Sequence, residues 1–210
     1  MLYKPKLSRK EIEENHRIFE ERVNIYKKRG MDFLKIRNFI IEKSMPLEGN
    51  ILEIGTGTGH TALTLAKAGY KLTSIDRDKE VLKKAALNLA YEDLLPKVTL
   101  HVMDAKSLEF KNGSFNNVIA VNMFHHVNDI GDILDEMDRV AAPNGKIIVS
   151  DFTEKGMRVV DQVHNHEGNS HDYSRVAEEE VSKRLKELNY DTIQYEGDAQ
   201  WLITAKKAVK

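Results

Sequence analysis

Residues 51–59, Ile-Leu-Glu-Ile-Gly-Thr-Gly-Thr-Gly, constrain the fold of this 210-residue chain more than any other segment. Their apolar start predicts a buried strand, and the three alternating glycines predict a tight turn that leads into a helix at 58–68. Glycines leave the backbone open to a ligand, and the first turn of a helix presents N–H groups without partners. The segment is therefore predicted to bind a nucleotide.

The spacing of the glycines decides which class of nucleotide is expected. The dinucleotide fingerprint has its third glycine three residues after the second, where a pyrophosphate can lie on the helix N-terminus. Here Gly59 follows Gly57 by two residues, and His60 stands at the position of the fingerprint's last glycine. The pattern thus lacks one of the requirements for binding NAD.

The glycine pattern resembles motif I of the class I S-adenosylmethionine (SAM)-dependent methyltransferases, in which an acid on the strand, here Glu53, precedes Gly-x-Gly-x-Gly. A second strand pattern ends in Asp76, and a carboxylate there can accept hydrogen bonds from both hydroxyls of a ribose. A third ends in Asp104 and Ala105. The resemblance implies that this pair binds adenine through the carboxylate and a backbone N–H.

Two further segments extend the resemblance to about residue 152. Residues 115–126 resemble the family's fourth strand and the segment after it, which lies beside the reacting methyl group, and residues 142–151 resemble the next turn and the fifth strand. Together, in this order, the motifs are much more specific than any one of them. The cofactor-binding residues that the resemblance implies are Glu53, Gly55, Thr56, Gly57, Gly59, Asp76, Arg77, Asp104, Ala105, Asn122 and Met123.

Each acid in these motifs also has a purely structural interpretation. Asp76 could be the N-cap of a helix that begins near Lys79, Asp104 could be an ordinary loop acid, and Glu53 could be satisfied by backbone donors. The occurrence of all three at successive strand ends favours the cofactor site.

Two neighbouring histidines are candidates for acid–base chemistry. The methyl group of a sulfonium is already activated, so an enzyme has mainly to align the acceptor and exclude water, and a general base is needed only when the acceptor arrives protonated. His125 and His126 follow the fourth strand pattern, close to where the family places the methyl group. The alternative is that either ring packs or forms hydrogen bonds within the loop.

A second histidine cluster consists of His164, His166, Glu167 and His171, in a polar segment after the fifth strand. Histidine and glutamate are suitable ligands for zinc, iron or manganese, which makes the four residues metal candidates. The segment is not helical by its pattern, and its spacing matches no zinc motif. An acid–base or substrate-pocket role, with His164 as the catalytic candidate, and an exposed loop are the alternatives.

Composition and charge limit the class of protein. With 41% hydrophobic and 31% charged residues, the chain suits one compact soluble domain. No apolar run is long enough to span a bilayer and the N-terminus lacks a signal-peptide core, so a cytoplasmic location without membrane partners is expected. The absence of cysteine excludes thiolate nucleophiles. A net charge of −1 argues against nucleic acid as a partner, because such binding needs many basic contacts to phosphates.

Strand and helix patterns alternate along the chain, which predicts an α/β fold. The resemblance implies a doubly wound, seven-stranded, mostly parallel sheet with the last strand antiparallel and helices on both faces. Two helical patterns precede it, the first opened by a possible capping box at Ser8 and Glu11. We expect an N-terminal helical cap at 1–45 and a SAM-binding domain at 46–210. The first helix is open to two interpretations, a lid or a contact in a homodimer.

Three functions follow from these patterns. The leading one is a SAM-dependent methyltransferase that acts on a small-molecule acceptor, with S-adenosylhomocysteine (SAH) as the second product. A protein or RNA methyltransferase is the first alternative. The other is a SAM-binding regulatory module without transferase activity, linked to a divalent metal through His164, His166 and His171.

Overall fold

The computed structural model describes residues 1–127, 129–166 and 178–208. Within these ranges the strands are β1 (Ile51–Ile54), β2 (Leu72–Asp76), β3 (Val98–Val102), β4 (Phe115–Val121), β5 (Ala141–Phe152), β6 (Tyr190–Glu196) and β7 (Gln200–Lys207). The α-helices are α1 (Arg9–Lys28), α2 (Phe33–Ser44), α3 (His60–Lys67), α4 (Lys79–Tyr91), α5 (Gly131–Val140), α6 (Glu154–His166) and α7 (Glu178–Glu187).

The seven strands form one sheet in the order β3-β2-β1-β4-β5-β7-β6. The pairs from β3 to β5 are parallel, and β7 runs antiparallel to both β5 and β6. The predicted doubly wound sheet with an antiparallel last strand is confirmed. The strand order reverses between β1 and β4, and ligands of such sheets bind outside the carboxyl ends of the strands at this point.

Hydrophobic residues cover both faces of the sheet. Along β4, Val118 and Ala120 belong to a core cluster with α5 and α7, whereas Ile119 and Val121 belong to a second cluster with α3 and α4. Because successive side chains of a strand point to opposite faces, this alternation buries the strand between two layers of helices.

The N-terminal helices lie against the layer of helices that contains α3 and α4. The possible capping box at the start of α1 is confirmed, since the Ser8 side chain accepts from the Glu11 backbone and the Glu11 carboxylate accepts from the Ser8 backbone at 2.9 Å. α1 packs along α4, and α2 packs against α3 and β7. The division into a cap at 1–45 and a domain at 46–210 remains a prediction.

α6 corrects the interpretation of residues 164–171 as non-helical for residues 164–166, whereas residues 167–171 lie outside the described ranges. His164 and His166 lie in the last turn of this helix. Val160 and Val163 are buried in a small apolar cluster with Tyr26 of α1. The helix forms because tertiary packing of this apolar face outweighs the polar composition that the sequence shows around the histidines.

A buried polar group joins β1, the glycine turn and β2. The Glu53 side chain is 2% exposed and accepts a hydrogen bond of 2.5 Å from the Ser74 hydroxyl, which lies 2.6 Å from the Thr56 hydroxyl. Burial raises the pKa of Glu53 to about 7, although the Ser74 hydrogen bond and the charge of Arg37 act in the opposite direction. The folded protein therefore keeps this proton at pH values where an exposed glutamate has lost it.

This raised pKa predicts a pH dependence of stability. Between about pH 4.5 and 7, the unfolded chain releases the Glu53 proton while the folded chain retains it, so the free energy of unfolding falls as the pH rises. We expect Glu53→Gln to remove roughly 1–3 kcal/mol of this fall, measured by urea unfolding across the range. Glu14→Gln, on the exposed part of α1, should keep the wild-type slope. Identical slopes for wild type and Glu53→Gln would contradict the prediction.

Candidate functional site

The glycine turn after β1 is fixed to the end of β2. The backbone N–H groups of Gly55 and Thr56 both donate to the Ile75 carbonyl, at 2.9 and 3.0 Å. The backbone N–H of Gly57 donates to Asp76 Oδ2 at 2.9 Å. Three consecutive amides of the turn are thus held by two residues of the neighbouring strand.

Two glycines make the turn open to a ligand. Gly55 has φ 78°, and a Cβ there would lie 2.8 Å from the Met123 side chain, so a larger residue would clash. Gly57 has φ 54°, and no atom of the described residues lies within 4 Å of the position that its Cβ would occupy. Bare peptide therefore faces open space, as the fit of a SAM molecule requires.

Asp76 lies beside this turn, and backbone hydrogen bonds fix both of its carboxylate oxygens. Oδ2 accepts from Gly57, and Oδ1 accepts from the backbone N–H of Asp78 at 3.0 Å. The N-cap of α4 is Asp78, whose side chain accepts from Glu80 and Val81. The alternative interpretation of Asp76 as the helix cap is therefore wrong. Its half-buried carboxylate is available to a ligand along the crevice.

The carboxyl ends of β2 and β3 lie at the same edge of the sheet as the glycine turn. Asp104 is exposed and its Oδ1 accepts from the backbone N–H of Lys106 at 2.9 Å, while Ala105 is half-buried against the core. Arg77 is exposed directly after Asp76. Because β3 pairs with β2 and β2 with β1, the glycine turn, Asp76 and Asp104 follow one another along the crevice.

The segment after β4 lies across the switch point from the turn. Asn122 has φ 53°, a left-handed conformation that asparagine tolerates better than most residues, and its side-chain oxygen accepts from Gln200. Its backbone N–H donates to the Ser150 carbonyl at 2.9 Å. The Met123 side chain covers Gly55. Both residues predicted for the cofactor therefore border the turn.

His125 forms a buried pair with Asp151, a residue that sequence reasoning did not select. His125 Nδ1 lies 2.7 Å from Asp151 Oδ1, and the His125 backbone N–H donates to Oδ2 at 3.1 Å. The ring also packs against Phe152. A carboxylate at Nδ1 selects the tautomer with the proton on Nδ1, which leaves the lone pair on Nε2. This geometry suits a histidine that accepts a proton.

A cavity of about 190 Å³ lies between the glycine turn and His125. The turn and His60 form one wall, and Asn122, His125 and His126 form another. α1, α2 and α6 cover it. All three catalytic candidates, His125, His126 and His164, line the cavity, although they come from different elements.

His164 connects α6 to α1 at the top of the cavity. Its Nε2 lies 3.1 Å from the Arg22 guanidinium and 3.4 Å from the Tyr26 hydroxyl. The ring is 9% exposed. His164 therefore lies in the contact between two covering helices, at a position that can also face a ligand.

His60 and Arg37 belong to the site and were not selected from the sequence. The His60 ring lies between Phe19 and Phe33, with ring centroids 4.5 and 4.8 Å away. Burial and the positive charges of Arg37 and Arg22 lower the pKa of His60 to about 3, so the ring is neutral. A signal for Arg37 was present in the sequence, because the residue follows Phe33 by one helical turn on the buried face of α2.

The predicted metal cluster is only partly covered by the described residues. The side chain of His166 is not described, and Glu167 and His171 lie outside the described ranges. Among residues 1–127, 129–166 and 178–208, no three histidine or acidic side chains come together in a way that could hold a metal ion. In the same part of the chain, every helix is too short or too polar to cross a membrane.

Comparison with known proteins matches just under half of the chain to one domain family. Residues 52–149 match the methyltransferase domain family. An uncharacterized methyltransferase of Bacillus subtilis, YcgJ, is 27% identical over 154 residues, which are 73% of this chain and 60% of that protein. Norajmaline N-methyltransferase of Rauvolfia serpentina is 33% identical over 109 residues, which are 51% of this chain and 37% of that protein. The chain thus spans less than two thirds of the length of either relative.

A solved structure extends the likeness in fold to most of the chain. The [4+2]-cyclase SpnF superimposes with a TM-score of 0.69 at 17% identity, over 84% of this chain and 82% of that one. At this identity the likeness concerns the fold alone. Residues 52–149 thus resemble a methyltransferase domain, and the sheet topology is that of the class I SAM-dependent methyltransferase fold.

Proposed function

We propose that this protein transfers a methyl group from SAM to a small-molecule acceptor held in the cavity between the glycine turn and His125. The observation that carries the proposal is the position of the His125–Asp151 pair opposite bare peptide in one cavity. At about 190 Å³ the cavity is smaller than the roughly 300–1,000 Å³ of pockets that hold drug-sized ligands. A compact acceptor fits it better than a protein segment or an RNA base with its backbone.

The residues along the crevice would bind the cofactor. Asp76 would bind the ribose hydroxyls, Asp104 and the Ala105 backbone would bind adenine, and the turn with Asn122 would border the methionine end. Glu53 would act indirectly, because Ser74 and Thr56 connect its carboxyl to the turn. The open space beside Gly57 supports this placement.

The chemistry requires little beyond alignment and one proton acceptor. Bound SAM supplies a methyl group activated by the sulfonium charge. The cavity walls hold the acceptor in line with it and keep water out. His125 Nε2 takes the proton that a hydroxyl, ammonium or acidic carbon loses as it is methylated, and Asp151 stabilises the resulting imidazolium.

A second candidate is a protein that binds SAM and performs a different reaction or none. The [4+2]-cyclase that shares this fold supports it, because the same fold can carry unrelated chemistry. Incubation with SAM labelled in the methyl group and pools of small molecules separates the two candidates. Label in a small-molecule product supports the proposed function, whereas tight SAM binding without transfer to any pool favours the second candidate.

The cofactor site predicts a difference between two neighbouring acids. Asp76→Ala removes both the ribose acceptor and the contact with Gly57, so we expect SAH affinity in isothermal titration calorimetry to fall by roughly 10- to 100-fold. Asp78→Ala is the matched control, because it removes only the cap of α4. It should lower stability by about 1 kcal/mol and leave SAH affinity unchanged. Equal affinity of wild type and Asp76→Ala would refute the ribose assignment.

The proton acceptor predicts a second result, to be measured with the first acceptor that the labelled screen identifies. For an acceptor that must lose a proton, His125→Asn should lower kcat by about 10²- to 10⁴-fold with unchanged SAH affinity. Asp151→Asn should also lower kcat, because it removes the charge that orients the ring. His126→Asn should cost less, since its ring is exposed. Full activity of His125→Asn would remove the base assignment.

A further inference from the structure

Arg37 is a buried cation without a carboxylate partner among the described residues. The residue is 4% exposed, and its Nε and Nη1 atoms form no hydrogen bond with the described part of the chain. Its guanidinium carbon lies 5.6 Å from the centre of the Phe33 ring. An aromatic face attracts the cation, but it does not satisfy the in-plane N–H donors.

The two acids whose charges act on Arg37, Glu53 and Asp151, already have other hydrogen-bond partners. Glu53 accepts from Ser74, and Asp151 contacts His125. Burial lowers the pKa of Arg37 to about 10, which still leaves the guanidinium protonated at neutral pH. Buried donors without partners are costly, so a chain that keeps them in a cavity has a reason in binding rather than in stability.

Arg37 lines the cavity of the proposed methyl transfer. The turn from Gly55 to Thr58 lies on one side of that cavity, and His125 lies on another. The planar fork of N–H donors in arginine matches a carboxylate or a phosphate, with two hydrogen bonds in parallel. The lining also includes the neutral His60 ring and the aromatic rings of Phe33 and Phe152.

We propose that Arg37 binds a carboxylate or phosphate group of the methyl acceptor, so that the substrate is a small anion with an apolar body. This inference rests on the proposed function. The aromatic walls accommodate the body, the oxyanion lies against the guanidinium, and the reacting atom faces the turn near His125. The anion would accept hydrogen bonds from the guanidinium, whose Nε and Nη1 have no acceptor within the described residues.

A carboxylate can also come from SAM itself, through its methionine end. The two sources differ in which ligand depends on Arg37. If the acceptor supplies the anion, SAH binds Arg37→Met as tightly as wild type. If the cofactor supplies it, Arg37→Met loses affinity for SAH but not for 5′-methylthioadenosine, which has no carboxylate.

The experiment compares Arg37→Met with Lys35→Met, which removes the same charge from an exposed position of the same helix. SAH and methylthioadenosine affinities are measured by calorimetry. The SAH-saturated proteins are then melted in acetate, in inorganic phosphate and in chloride at equal ionic strength. We expect acetate or phosphate to raise the Tm of wild type and Lys35→Met by about 2 °C or more over chloride, and to leave Arg37→Met unchanged.

Each outcome decides the inference. If acetate or phosphate raises the Tm of wild type and Lys35→Met but not of Arg37→Met, and SAH affinity is unchanged, the acceptor is anionic. Loss of SAH but not methylthioadenosine affinity in Arg37→Met overturns it in favour of the cofactor carboxylate, and a Tm without anion dependence in wild type overturns it as well. Failure of wild type to bind SAH would instead refute the proposed function. If Arg37→Met does not fold, Arg37→Lys gives the same comparison, because lysine keeps the charge and loses the planar donors.

Discussion

The attachment of the glycine turn to the end of β2 is the interaction on which the rest of the site depends. Three amides of the turn donate to Ile75 and Asp76, and the buried hydrogen bonds from Glu53 through Ser74 to Thr56 hold the same turn from below. Without these bonds the left-handed glycines would have many accessible conformations. With them, bare peptide and a carboxylate stand side by side at the switch point, where a nucleoside can contact both.

Most of the fold could be predicted because its signals are local. The apolar run of β1 and the glycines after it define the strand and turn, and the helix expected to begin near Lys79 is the observed α4. Its cap, however, is Asp78 and not Asp76, a distinction between two acids of one short segment that only backbone geometry makes. The row of Asp76 and Asp104 along one edge follows from parallel strand order, which the motif sequence already implied.

The cavity could not be predicted in the same way, because its residues meet only through tertiary packing. Asp151 reaches His125 because β5 pairs with β4 in a particular register, and Arg37 reaches the turn because α2 packs on α3. His164 looked like one member of a histidine cluster. Its contacts among the described residues include Arg22 and Tyr26, more than a hundred residues earlier in the chain.

The charges of the crevice differ between its two sides, and the difference has a mechanistic consequence. Asp76 and Asp104 lie on the side proposed for the nucleoside, whereas Arg37 and Arg22 come from the covering helices. A sulfonium cation is attracted towards the acids and repelled from the arginines, and an oxyanion is attracted in the opposite direction. In the proposed reaction, this field would favour one relative orientation of the two reactants, with the methyl group between them. Such alignment is the main contribution that a transfer from an already activated donor requires.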